Sequence, residues 1–243
     1  MSHVPFVESG SYPVRHGNAL RPLIDGTPSF RRIGEAVEAA RHSVWVAVAF
    51  ATREFQMPDG RGTFFDLLDR AQARGVDVRV IFWRPNVLGG VNVIAFAGTP
   101  DDHDFLRRRG TRWRARWDRT HGTYCQHQKS WLIDAGRDRE IAFVGGVNQT
   151  LRTESVPGHP GAGQRHDLYL ELAGPSATDV HHNFVQRWNE ASERLVEDGV
   201  WADSGRESLA FPTRASATRG KSTVQIQRTV HAGRYGDGRA TPG

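Results

Sequence analysis

Two apolar runs bracketing an amphipathic helix constrain this chain more than any other feature. Val44 to Phe50 is almost continuously apolar, as expected of a strand covered on both faces. After Thr63, residues Phe64, Leu67, Leu68 and Ala71 share one helical face, and Gly75 supplies the stop. Val76 to Trp83 is a second strand, with Val76, Val78 and Val80 on one side. Strand, helix, strand in this order predicts a right-handed parallel crossover. The expected fold class is therefore α/β, a mixed, largely parallel β-sheet flanked by helices.

The remaining segments sort around that unit. Residues 1–24 read as an irregular lead-in. Thr27 and Pro28 open a helix as N-cap and first-turn proline, and Phe30, Ile33, Val37 and Ala40 form its apolar stripe. The connection from Arg84 to Asp101 is rich in apolar residues between Val87 and Phe96, which either touch lipid acyl chains or pack on the sheet. A short helix is expected around Phe105 and Leu106. In Arg112 to Trp117, arginines alternate with Trp113, Ala115 and Trp117, giving a strand with one basic face. That face suits nucleic acid or anionic lipid, unless the tryptophans are core and the arginines simply solvated. Gln126 to Ile133, Ile141 to Val147 and Leu168 to Leu172 are further strands. Ala177, Val180, Phe184 and Trp188 mark a last amphipathic helix, with His181 and His182 on a solvated face. Beyond Ser192 the sequence turns polar. The expected organisation is the lead-in 1–24, a catalytic body 25–191 and a linker-like tail 192–243. In that tail, Val224 to Ile226 reads as a short strand that could begin a second half, and Ala232 to Gly243 is expected to be disordered.

Charge narrows the partners without choosing one. A net charge of +5 and a pI near 10 favour phospholipid surfaces, nucleic acid or phosphate esters. Of the 32 basic residues only Lys129 and Lys221 are lysine. A chain this biased toward arginine has kept a compact ammonium at Lys129, which a tight phosphate site can demand. Cys125 is the single cysteine, so no internal disulfide is possible, and it reads as structural. No signal peptide and no membrane-spanning run are visible, so a cytoplasmic or peripheral-membrane address is expected.

The chemistry-bearing segment is His127-Gln128-Lys129, then Asp134, then Gly145-Gly146-Val147-Asn148. Residues two apart on a strand point the same way, which sets the His127 imidazole beside the Lys129 ammonium. Asp134 has the opposite parity and falls at the strand end, where charge pairing suits it better than attack. Gly145 and Gly146 remove side chains so that substrate or backbone can approach closely. Asn148 adds amide donors without charge. Together these groups can neutralise and position a phosphoryl centre without metal. A metal set of His121, His127 and Asp134 matches no familiar ligand spacing, and no cofactor is expected.

The His-x-Lys, Asp and Gly-Gly-x-Asn pattern resembles the first catalytic motif of the phospholipase D superfamily, in particular its bacterial phospholipase D and cardiolipin synthase group. His166-Asp167 to Gly174-Pro175, followed by Phe184 and Trp188, agrees, and the resemblance covers roughly residues 18 to 191. It implies a covalent phosphohistidine at His127, non-bridging oxygens held by Lys129 and Asn148, and Asp167 orienting the imidazole. Water would then give hydrolysis, and an alcohol would give transphosphatidylation. The candidate catalytic residues are thus His127, Lys129, Asp134, Asn148 and Asp167, with Gly145 and Gly146 lining the substrate approach.

Members of the superfamily juxtapose two such motifs, the second histidine acting as general acid. This chain carries one, which implies either a second half in cis or a homodimer about a two-fold axis, and the linker-like tail favours the former. The expected substrate is a phospholipid head-group diester at a membrane surface. The alternatives are a single-motif dimeric endonuclease, or a half that binds lipid or nucleic acid without turnover.

Overall fold

A computed structural model describes residues 12–86, 95–119, 125–160 and 163–229. Its strands are β1 (Arg15–Ile24), β2 (Ser43–Val48), β3 (Asp77–Trp83), β4 (Arg114–Asp118), β5 (Lys129–Ile133), β6 (Ile141–Gly145), β7 (Leu168–Ala173), β8 (Val200–Trp201) and β9 (Ser222–Val224). The helices are α1 (Gly26–Ala39), α2 (Phe64–Ala73), α3 (Pro100–Arg109) and α4 (Ala177–Asn189). None of the described helices is long and apolar enough to cross a membrane.

The nine strands of the described residues join one sheet in the order β8-β4-β3-β2-β5-β6-β7-β1-β9. The β2-α2-β3 crossover is present, and β2, β3 and β4 are mutually parallel. Every other pairing is antiparallel, so the largely parallel sheet expected from sequence is corrected to a mixed, mostly antiparallel one. For β5 and β6 the reason is connection length: residues 134–140 between them are too few for a parallel return, which needs about a dozen or more.

Apolar burial follows both faces of the sheet. On one, α1, α2 and α3 cover Val44, Val46, Val80, Phe82, Trp117 and Trp131. On the other, α4 lays Val180, Phe184 and Trp188 over Trp45, Ile81, Leu132 and Leu172. Capping boxes fix two of the helix starts, Thr63 with Asp66 for α2 and Thr99 with Asp102 for α3. Gly110 ends α3 at φ 69°, where a Cβ would be strained.

Several expectations require correction. The lead-in is strand β1 from Arg15 onward, paired with β7. Helix α1 begins at Gly26 after Asp25, not after Thr27. The tail is no linker up to residue 229: β8 and β9 extend the sheet edges, and Ser204 and Arg228 are buried. It covers α4, so His181 and His182 are buried rather than solvated, at 3.0 Å from Glu140 and from the Tyr12 hydroxyl respectively. Of the expected basic face, Arg112 is exposed, Arg114 is half-buried and Arg116 is enclosed. Trp113 and Trp117 are core, while Arg116 lies over the Trp188 ring and donates to the carbonyls of Trp188, Ser204 and Glu207. Phe96 packs into the core. Residues 87–94 of that apolar connection, His121 and the stretch beyond residue 229 lie outside the described residues.

Candidate active site

The parallel strands β2, β3 and β4 end at the same edge of the molecule where β5 and β7 begin and β1 and β6 end. The candidate side chains, Asp134 excepted, gather at that edge, the usual location for ligands in open α/β sheets. Phe50 follows β2, His127 and Lys129 open β5, Asn148 follows β6, and Asp167 precedes β7. Gly145 pairs with Lys129 across the β5-β6 ladder.

His127 is exposed and precedes the regular strand, so strand parity alone does not aim its ring. The ring stands edge-on to Phe50, with centroids 5.5 Å apart. Lys129 is buried, at 3% exposure, and its ammonium turns back to donate to the His127 carbonyl at 3.0 Å. Burial lowers the lysine pKa to about 8, with Cys125 and Asp167 pulling weakly the other way. Among the described residues no carboxylate lies within ion-pair distance of this ammonium. Burial also lowers the His127 pKa, the Lys129 charge lowers it further, and Asp167 opposes both. The imidazole is therefore held neutral at neutral pH, the form that carries a free lone pair.

Asn148 is 7% exposed, and its amide oxygen has no hydrogen-bond partner among the described residues. It borders a hollow of about 440 Å³ walled by Phe50, Thr52, Thr150 and Leu151, with Arg152 and Arg165 also lining it. An apolar wall with two guanidinium groups accepts an anion that carries an organic substituent.

The glycines serve the protein before any substrate. A Cβ on Gly145 would come 2.7 Å from the Tyr169 Cα, and one on Gly146 would come 2.5 Å from Asp167 Oδ2. Both residues let the start of β7 press against the end of β6. Asp167 accepts from the Leu168 amide at 2.7 Å and acts on His127 through charge; no hydrogen bond joins the two among the described residues.

Asp134 is not part of this cluster. It ends β5 at the opposite edge, and its Oδ1 accepts from the backbone N–H groups of Arg41, His42 and Ser43 at 3.0, 2.7 and 3.2 Å. Its catalytic assignment is corrected to a structural one: it ties the α1-β2 turn to the sheet. Cys125 is partly buried, and burial pushes its thiol up to about 11, which leaves it unreactive. The residues that sequence reasoning missed here are Phe50, Thr52, Arg152 and Arg165. No local pattern marks them, because the fold assembles them from two loops, one after β2 and one between β6 and β7.

No family model matches the chain. It is 28% identical to cardiolipin synthase A of Pseudomonas entomophila, over 76% of this chain and 36% of that protein. It is 25% identical to phospholipase D gamma 3 of Arabidopsis thaliana, over 76% of this chain and 26% of that one. The chain thus spans about a third or less of the length of these relatives. Among solved structures, NucT from Helicobacter pylori overlaps 65% of this chain and 86% of its own, at 17% identity and a TM-score of 0.37, too slight a likeness to bear on function.

Proposed function

The chain belongs to the phospholipase D superfamily, and we propose that it supplies one half of a phosphodiester-cleaving site, with His127 as nucleophile. The observation that carries this reading is Lys129. An ammonium taken out of water without a counter-ion is costly, and a bound phosphoryl group offsets that cost. A second unspent group, the Asn148 amide, waits at the same edge.

In the proposed reaction a neutral ring nitrogen of His127 attacks phosphorus. Lys129 and Asn148 hold the non-bridging oxygens, and Asp167 stabilises the positive charge that develops on the ring. The P–O bond to the leaving alcohol breaks as the P–N bond forms, and the alcohol oxygen takes a proton from a second histidine outside this cluster. Water, or an acceptor alcohol, then displaces His127 from phosphorus. That second histidine comes from another copy of the motif. An exposed apolar strip of Ile24, Val144 and Leu168, on the same end of the sheet as His127, supports association there.

The substrate class we propose is a phospholipid head-group diester. The half-apolar, arginine-bearing hollow beside Asn148 supports it, and the sequence relatives carry lipid-enzyme names. The test is turnover of phospholipid vesicles and of DNA in the presence of chelator, by wild type and His127→Ala. Head-group release lost in the variant supports the reading. DNA cleavage without lipid turnover replaces it with the nuclease alternative, and equal rates for both proteins refute the mechanism.

A further inference from the structure

A second cluster of metal-ligating groups lies beside Asp167 and takes no part in the chemistry above. Asp25, which immediately precedes α1, is 1% exposed and sits at φ 69°, a left-handed conformation that side-chain-bearing residues seldom adopt. Its carboxylate does not cap α1. The Ser155 Oγ accepts from the Gly26 amide at 3.3 Å and the Ser155 carbonyl from the Thr27 amide at 2.9 Å, so the first helical donors are served by another loop. Besides a long contact of 3.3 Å from the Ser155 hydroxyl to Oδ1, the Asp25 carboxylate faces two imidazoles. His166 Nδ1 lies 2.7 Å from its Oδ1, and His159 Nε2 lies 2.9 Å from its Oδ2. The two ring nitrogens are 3.1 Å from each other.

That last distance is the informative one. If both rings donated to the same carboxylate, two N–H dipoles would meet side by side at 3.1 Å. If instead each ring carries its proton on the other nitrogen, two lone pairs and one carboxylate oxygen converge on one point. A tetrahedral zinc ion with bonds of about 2.0–2.2 Å sets its ligand atoms about 3.3–3.6 Å apart. The triangle that the two ring nitrogens make with Asp25 Oδ1, of 2.7, 3.1 and 3.1 Å, is slightly tighter than that, and a small outward movement of two exposed rings opens it to fit.

We propose that Asp25, His159 and His166 form a binding site for a divalent transition ion of the zinc class, its fourth position open to solvent. The site is built from one buried anchor and two ligands on the excursion between β6 and β7. Its place in the fold gives the ion a role. The Asp25 amide donates to the Asp167 carbonyl at 2.8 Å, and His166 directly precedes Asp167. The ion would therefore clamp the excursion that carries Arg152 and Arg165 to the start of α1, and hold the backbone that presents Asp167.

The test uses zinc alone, on full-length protein stripped with chelator and dialysed. Calorimetric titration and thermal melting of wild type should show one ion per chain and a rise in Tm, and cobalt substitution should give the intense visible absorption of a tetrahedral site. His159→Ala and His166→Ala each should weaken binding by at least about tenfold, and the double variant should abolish both the Tm rise and the cobalt spectrum. His166→Gln, checked by circular dichroism, guards against a folding defect. No zinc uptake by wild type overturns the proposal in favour of a metal-free His–Asp–His hydrogen-bonded cluster. Zinc uptake and a cobalt spectrum unchanged in the double variant also overturn it, since the chain has other histidines.

Discussion

The Gly146 Cα lies against the carboxylate of Asp167, so closely that a Cβ at 146 would stand 2.5 Å from Asp167 Oδ2. The second glycine of the Gly-Gly pair therefore fixes where a negative charge sits relative to His127. Gly146→Ala should leave the fold cooperative while displacing that carboxylate by a fraction of an ångström or more. A misplacement of about 1 Å costs about a hundredfold in rate. We expect kcat for diester hydrolysis to fall by about that factor with KM little changed, measured beside a thermal melt that stays within a few degrees of wild type.

Under the proposed mechanism, Lys129 and His127 set the pH dependence, because it requires Lys129 protonated and His127 neutral. With the lysine pKa lowered to about 8, kcat/KM should fall as pH rises through that value. With the histidine held below its ordinary value of 6.5 by burial and by Lys129, the acid limb should fall below that pH. With bis(4-nitrophenyl) phosphate, whose leaving group needs no general acid, Lys129→Arg should be less active, because a planar fork replaces a point charge, but its alkaline limb should disappear because arginine stays protonated. A pH–rate profile of the two proteins reads both effects.

Asp134 separates stability from catalysis. Its Oδ1 accepts from three backbone N–H groups at the α1-β2 turn, far from the site edge. Asp134→Ala leaves those donors without their acceptor and should destabilise the protein by about 2–3 kcal/mol. Asp134→Asn retains an oxygen acceptor and should cost less. Denaturant titration measures both. The activity per folded molecule should stay within about twofold of wild type.

Arg116 tests the packed tail. It is 1% exposed, stacks 4.3 Å over the Trp188 ring and donates to carbonyls of the 204–207 segment, and burial lowers its pKa to about 10. Arg116→Met keeps the stem but leaves those carbonyls without donors. It should destabilise the chain by about 2–4 kcal/mol and speed proteolysis between residues 192 and 220.

The sequence carried the parts of this fold that have a local signature. The β2-α2-β3 unit and α4 declared themselves through periodicity, and the His-x-Lys and Gly-Gly-x-Asn segments through spacing. What escaped has no local signature. β1 contains Gly17 and Pro22 and exposes much of its length, and it is a strand because β7 pairs with it. The tail has only scattered apolar residues, such as Leu209 and Ile226, which find α4's face of the sheet through tertiary packing. Asp134 sits in the motif by sequence and outside the site by geometry, because β5 carries it to the other edge. Asp25 and His166 are 141 positions apart, and only the β1-β7 pairing brings them together.

The central claim is that the His127 ring bonds to phosphorus. Bis(4-nitrophenyl) phosphate tests it most directly, because nitrophenolate leaves without a general acid and so does not depend on a second motif. Mass spectrometry of protein quenched at alkaline pH during turnover should find a phosphoryl adduct on His127, and His127→Ala should show neither adduct nor nitrophenol release. Nitrophenol release by His127→Ala at the wild-type rate, with residue 127 of wild type unmodified, would contradict the account.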